Sequence, residues 1–462
     1  MLFNSYEFIF IFLPLTLSIF FFLANKFSRA PIIWLIVASL IFYGYWDYRY
    51  VLLLTISILC NYFVGKKIFQ SILNKKRWLI LGIIFNLSLL FYFKYTGFFL
   101  SNLNEFFGQT FLIPEIILPL GISFFTFTQT AFLIDVYRNE VEQYSFPNYC
   151  LFVTIFPHLL AGPILYHKDI IPQFESQAFL KFNAKNFSEG LTFFAIGLFK
   201  KVAVADTLAP YANLAFSKIP ELTFLDAWTG AIIYSMQLYF DFSGYSEMAI
   251  GLGRMLNLNL PQNFNCPYQS ASIIDFWRRW HMTLSAFVKN YIYIPLGGNR
   301  RGEISKLKNL LLSMTLIGLW HGANWTFIIW GALHGFFLVV NHLWRRMKFS
   351  LPEIAGRFIT FICVASVWVI FRASNVNEAF QFLGTMYNLP REFQFSVLQN
   401  DIWEILTELI LISTVAFFGK SIPQLIKNFR PNLIWAAVIS LLLVLSVLLM
   451  SNRISEFLYF QF

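Results

Sequence analysis

Six histidines, at positions 158, 167, 281, 321, 334 and 342, interrupt a chain that is otherwise mostly apolar. An ionisable group at membrane depth is costly to bury, and where it persists it is functional by default. His321 lies in GLWHGANW, between Gly318 and Gly322 and flanked by Trp320 and Trp325, with Asn324 beside them. Glycines allow a bend or a close backbone approach, and the indoles can wall a pocket. A neutral imidazole in that setting suits a general base acting on a hydroxyl. The competing reading is a histidine that only hydrogen-bonds a neighbouring helix.

His281 lies in DFWRRWHMTLS. If that run is one helix, Trp277, His281 and Ser285 share a face at i, i+4 and i+8, and Asp275 reaches Arg279. Around them Arg278, Arg279, Lys289, Arg300, Arg301, Lys306 and Lys308 outnumber Asp275 and Glu303. Such a surplus suits the phosphates of a thioester carrier arriving from the cytoplasm, with Arg278, Arg279, Arg300 and Arg301 as the donor-binding candidates. Attraction to anionic lipid is an equal reading on charge alone. Trp277, Ser285, Trp320, Asn324 and Trp325 are the expected pocket lining.

His334 in GALHG and His158 in FPHLLAGPI either line the same cavity or pack helices, and packing is the preferred reading of each. Asp241 and Glu247 stand in an otherwise apolar run, where carboxylates need partners or a water-filled path. They are expected to balance the basic stretch, not to serve as the base. Cys60, Cys150, Cys266 and Cys363 show no CxxC or metal spacing, so neither a disulfide framework nor a metal site is expected.

The elements that must position these groups are membrane helices. The 462 residues are 58% hydrophobic and 13% charged, against roughly 25% charged in soluble globular chains. Apolar runs extend over 8–24, 32–45, 51–64, 78–93, 116–133, 151–160, 191–205, 227–252, 310–319, 325–343, 358–371, 405–418 and 433–450. Several fall short of the ~20 residues of a simple crossing. The expectation is therefore an all-α polytopic protein with about eleven transmembrane helices plus one or two re-entrant ones. With no internal repeat or flexible linker, residues 1–462 read as a single domain.

Positive charge clusters between the runs, at Lys66, Lys67, Lys75, Lys76 and Arg77, at Arg345, Arg346 and Lys348, and at Lys420, Lys427 and Arg430. These read as inside loops and place the N-terminus outside, with the last helix leaving the tail SNRISEFLYFQF outside. The formal charge of +10 is thus explained by topology. No soluble basic domain exists to carry phosphate contacts to nucleic acid.

The run YFDFSGYSEMAIGLGRMLNLNLPQNFNCPYQSASIIDFWRRWHMTLSAFVKNYIYIPLGGNR, followed by LIGLWHGANWTFIIWGALHG, resembles the membrane-bound O-acyltransferase family. Within it the match is to the bacterial branch of alginate O-acetyltransferases and teichoic acid D-alanyltransferases. LPLGISFFTFTQTAFLIDVYRNE, FPHLLAGPI, GLFKKVAVAD and the ending FLYFQF fit the same branch.

The resemblance implies a catalytic role for His321 and for His281, the second signature position, where relatives carry Asn or His. It implies a ring of helices around a thinned centre, in a bacterial inner membrane. The donor, an acyl thioester such as acetyl-CoA, approaches from the cytoplasm and no bound cofactor is needed. The acyl group, most simply acetyl, goes to an envelope or extracellular polysaccharide through an outer-face SGNH-hydrolase-type transferase, which this chain does not contain. Tyr459, the good nucleophile in FLYFQF, becomes a candidate acyl relay, with an interfacial aromatic anchor as the other reading. One departure is His158, where the alginate-type pattern leads one to expect Gln, which bears on substrate rather than catalysis. Alternatives are D-alanyl or other acyl transfer to teichoic acid, lipid or protein, and a non-catalytic polysaccharide or lipid transporter.

Overall fold

Long apolar runs with few charges can satisfy their backbone in lipid only as helices or closed barrels, and this chain takes the helical solution. The computed structural model describes residues 1–450 apart from 109, 142, 143, 348, 391 and 428–430, together with Leu458. Among the described residues every regular element is a helix.

Five helices are long and apolar enough to cross a membrane: Arg49–Gln70, Lys75–Phe107, Trp325–Arg346, Glu353–Arg372 and Leu433–Met450, with shorter apolar helices at Phe8–Ala24 and Ala30–Gly44. The other runs read as spans from sequence are shorter, broken or more polar. The 151–160 run splits at Ile155 into helices Phe146–Thr154 and Phe156–Leu159. The 116–133 run becomes helical only from Ile122. The 32-residue helix Phe224–Met255 carries Asp226, Asp241, Glu247 and Arg254, and its residues from 229 onward are almost all buried. It is the most enclosed of the long helices.

The chain divides into two compact units. The first comprises Met1–Gly197, Tyr245–Pro261 and Pro431–Leu442. Its helices are joined by aromatic packing and by buried amides. Phe12, Phe42 and Phe156 meet with ring centroids 5.4 to 5.7 Å apart. Asn61 and Asn86 exchange amide hydrogen bonds of 3.1 and 2.7 Å, and each also donates to a carbonyl one turn back in its own helix. Polar pairs of this kind hold helices together where lipid supplies no hydrophobic drive.

The second unit comprises Leu198–Gly244, Gln262–Arg430 and Leu443–Phe462. Its apolar core gathers Ala215, Ile219, Ala227, Val369, Phe382 and Met386. Asp226 fixes the start of the long helix by accepting from the backbone N–H groups of Ser396, Val397 and Leu398 at 2.9 to 3.2 Å. Helices Glu303–His321 and Trp325–Arg346 form a tight hairpin. A Cβ on Gly331 would stand 2.9 Å from the Cα and N of Gly318 and closer still to the Met314 carbonyl, so only glycine permits this approach. That hairpin sets the position of His321.

Candidate active site

His321 is the last residue of the Glu303–His321 helix, which ends where Gly322 turns extended. The imidazole is buried and walled by Trp320, Trp330 and Phe371, with ring centroids at 4.9, 5.1 and 5.4 Å. Trp330 was not singled out by sequence. It stands in the facing helix edge-on to His321, and its buried indole N–H has no hydrogen-bond partner among the described residues.

The other members of the GLWHGANW group divide. Trp320 packs on His321 as expected. Asn324 caps the next helix, accepting from the N–H of Thr326 at 3.1 Å and donating to the Ser374 carbonyl at 2.9 Å. Its amide is therefore committed to the turn rather than presented to a pocket. Trp325 is 51% exposed, at the first position of its helix, and does not wall the site.

The single-helix reading of DFWRRWHMTLS is corrected by the structure. The helix Ile273–Arg279 stops, Trp280 is extended, His281 takes the left-handed conformation at φ 43°, and a new helix runs Met282–Val288. A non-glycine residue held at positive φ is uncommon and needs support from around it. Asn263 provides much of it. Its carbonyl oxygen accepts from His281 Nδ1 at 3.0 Å and from the N–H and hydroxyl of Thr283 at 3.3 and 2.9 Å, and its backbone carbonyl accepts from Met282 N–H at 2.9 Å. Because an amide oxygen only accepts, Nδ1 carries the proton and the ring lone pair is on Nε2. The ring packs edge-on against Phe242 at 4.8 Å.

The break sends His281 to these partners and turns Trp277 and Ser285 elsewhere. Ser285 donates to the Trp277 carbonyl at 3.1 Å across the kink. Trp277 packs on Trp330 at 6.0 Å and donates its indole N–H to His334 Nδ1 at 3.2 Å. Trp330 is therefore shared between the walls of His321 and Trp277.

Trp277 and Ser285 line a cavity of about 640 Å³ with Arg278, Lys289, Arg300, Lys306 and His342, a size typical of small-molecule sites. Its other side is formed by Leu310, Ser313, Met314 and Ile317 of the helix that ends in His321. Steps of three and four keep these residues on one face, and the next step from Ile317 is His321.

The four arginines proposed for donor binding part company. Arg278 and Arg300 line the cavity. Arg279 forms the expected pair with Asp275, its Nε donating at 3.0 Å, and does not line the cavity. Arg301 is exposed and folds over Gly297. Lys289 and Lys306 complete a lining without a carboxylate, since Glu303 engages Lys306 and Arg346 from outside it.

The buried carboxylates are placed differently from the expectation. Asp241 pairs with Lys201 at 2.6 Å, and Lys201 also holds Asp206 at 2.7 Å, all three side chains being buried. The basic stretch at 278–308 is not the partner of Asp241. Lys201 stands in the π-helical turn Lys200–Ala205, a local widening that re-aims side chains and recurs at functional sites. His158 proves to be a packing residue, with Nδ1 donating to the Pro163 carbonyl at 2.7 Å and Nε2 accepting from Thr128 at 3.2 Å. Tyr459 lies outside the described residues.

Among the described residues no cluster of His, Cys, Asp and Glu forms a metal-holding group. The model of the MBOAT, membrane-bound O-acyltransferase, family matches residues 37–377. A peptidoglycan O-acetyltransferase of Helicobacter pylori is 41% identical, covering 100% of this chain and 98% of its own length. A protein of Pseudomonas putida named probable alginate O-acetylase is 40% identical, covering 100% of both chains. More distantly, a teichoic acid D-alanyltransferase of Streptococcus thermophilus is 27% identical over 54% of this chain. The chain belongs to the membrane-bound O-acyltransferase family and is a membrane-embedded O-acyltransferase.

Proposed function

We propose that this enzyme takes an acetyl group from a cytoplasmic thioester, acetyl-CoA being the simplest donor, and passes it across a bacterial inner membrane for O-acetylation of an envelope or extracellular polysaccharide. The observation that carries this reading is the continuity of one helix face. Leu310, Ser313, Met314 and Ile317 line the basic cavity, and the same face ends one turn later at His321. Donor phosphates held by Arg278, Lys289, Arg300 and Lys306 would direct the thioester end along that face to the imidazole.

The chemistry balances on residues of this chain. An imidazole nitrogen of His321 takes the proton of the attacking hydroxyl as its oxygen bonds to the thioester carbonyl carbon. The tetrahedral oxyanion collapses, the C–S bond breaks, and the thiolate leaves with the proton from the imidazolium. The buried indole N–H of Trp330 is our candidate donor to the oxyanion. We assign His281 to orienting the acceptor hydroxyl through Nε2, since Nδ1 is committed to Asn263.

Tyr459 is our candidate for the first acceptor, carrying the acyl group as a tyrosyl ester to the outer face. An SGNH-hydrolase-type transferase would then deliver it to the polymer. The relatives named for peptidoglycan and for alginate are nearly equal in identity, at 41% and 40%. The reading therefore names polysaccharide as the acceptor class and leaves the polymer to experiment. It also takes the N-terminus to lie outside, from the distribution of Lys and Arg.

The test is a deletion strain complemented with wild type or His321→Ala at matched membrane abundance, with base-labile acetate measured in purified envelope and extracellular polysaccharide. Wild type is expected to restore the ester and the variant to leave it at the deletion level. Full restoration by His321→Ala would make the imidazole structural and favour a non-catalytic transporter.

A further inference from the structure

Both helices of the His321 hairpin lead from the basic cavity to the imidazole. On the helix Trp325–Arg346, His342 and Leu338 line the cavity, and steps of four from them pass through His334 to Trp330, which touches His321. His334 is fully buried and packs on Trp330 and Trp277 with ring centroids 4.9 and 5.1 Å apart. Its two nitrogens are unequal. Nδ1 accepts the Trp277 indole N–H at 3.2 Å, so Nε2 carries the ring proton, and Nε2 has no hydrogen-bond partner among the described residues. A buried donor left without an acceptor is costly to keep, and this one stands on the row between the cavity and His321.

We propose that His334 binds the acyl donor: its Nε2–H takes the first amide carbonyl of a pantetheine-type arm, while Nδ1 holds the Trp277 indole at the cavity wall. The inference rests on the thioester reading above and adds the contact that seats the arm. In acetyl-CoA that carbonyl carbon is separated from the acyl carbon by sulfur, two methylenes and a nitrogen, about 6 Å of extended chain. One helical turn, the step from Trp330 to His334, is about 5.4 Å. An acyl carbonyl at the Trp330 indole therefore brings the amide carbonyl level with His334, with the phosphates further back among Arg278, Lys289, Arg300 and Lys306. The amide sheds its water on leaving the cavity for the aromatic surroundings of His334, formed by Phe276, Trp330, Phe337 and Trp368, and an N–H there replaces the lost bond.

The test pairs two small acetyl donors with variants that strand no buried group. S-acetyl-N-acetylcysteamine carries the amide in place, and S-pentyl thioacetate replaces it with methylenes. Transfer of labelled acetyl from each is measured as kcat/KM in membrane vesicles of the deletion strain holding the full-length protein. The amide-to-alkyl ratio within one preparation, compared between variants, cancels partition into lipid and the amount of folded protein. Trp277→Phe removes the indole N–H and keeps His334, and its ratio should stay within about threefold of wild type. Adding His334→Leu to Trp277→Phe should lower the ratio about tenfold, the worth of one buried hydrogen bond. His334→Gln, which can accept from Trp277 and donate to the amide, should keep most of the wild-type ratio. Equal ratios with and without His334, or wild type that uses acetyl-CoA but not the amide donor, overturn the contact and leave the thioester reading standing. Wild-type vesicles that transfer acetyl from neither acetyl-CoA nor the small donors, prepared from cells that form the ester, overturn the thioester reading and the contact with it.

Discussion

Replacing Gly331 by alanine adds one methyl group at the point where the two helices of the His321 hairpin touch. That Cβ would stand 2.9 Å from the Cα and N of Gly318, and closer to the Met314 carbonyl. Carbon contacts are comfortable near 3.5–4.0 Å, so the helices must part by about 1 Å. Overpacking of this kind costs about 1–3 kcal/mol in stability. Its larger effect should be on turnover, because Gly318 lies one turn before His321 and a misplacement of about 1 Å can cost about 10²-fold in rate. The expected result is a protein that still inserts, melts a few degrees lower in detergent, and gives roughly a hundredth of the wild-type acetate ester. Gly384→Ala is the control, since it lies in the helix Val376–Tyr387 with nothing within 4 Å of its added Cβ. It should be neutral or stabilising by up to about 1 kcal/mol. Wild-type ester formation by Gly331→Ala would refute the claim that the glycine contact positions His321.

Arg278→Ala should raise the apparent KM for acetyl-CoA about tenfold or more in proteoliposomes, whereas Arg279→Ala should leave it near wild type because its half-exposed partner is Asp275. Asn61→Leu alone strands the amide of Asn86 and should lower the melting temperature, and Asn61→Leu with Asn86→Leu should recover part of the loss, a coupling of about 0.6–2 kcal/mol. At His281, asparagine tolerates the left-handed backbone and can still donate to Asn263. His281→Asn should therefore retain more ester formation and stability than His281→Ala, which bears about 1–2 kcal/mol of backbone strain. His281→Gly should recover stability but not activity, and wild-type activity of the glycine variant would show that the side chain has no chemical role.

The helices were legible because apolar runs bounded by charge and proline leave the backbone little choice. The first one, Phe8–Ala24, has the same limits in sequence and structure. The break at His281 was not legible. DFWRRWHMTLS contains neither glycine nor proline, and the left-handed turn is held by Asn263 from another segment. Nor could charge pattern identify the partner of Asp241. Lys200 and Lys201 fall inside the apolar run 191–205, and only the structure, with its π-helical turn, reveals that Lys201 faces Asp206 and Asp241. Trp330 was hidden for a different reason, since one more tryptophan in a chain with 20% aromatic residues carries no local signal. Its importance lies in touching both His321 and Trp277.

The buried imidazoles differ in which nitrogen is already committed, and that difference assigns their roles better than their sequence context does. His158 spends both nitrogens on Pro163 and Thr128 and has no basic site to offer. His334 accepts at Nδ1 from Trp277, so its proton sits on Nε2 and the ring can only donate there. His281 has the opposite tautomer, with Nδ1 donating to Asn263 and the lone pair on Nε2. His321 ends a helix lined by the basic cavity and is enclosed by aromatic rings, which exclude water from any proton transfer it makes. In His158 and His334 the ring lone pair is already taken by a neighbouring hydroxyl or indole, and the pair we propose for acyl transfer is His281 and His321.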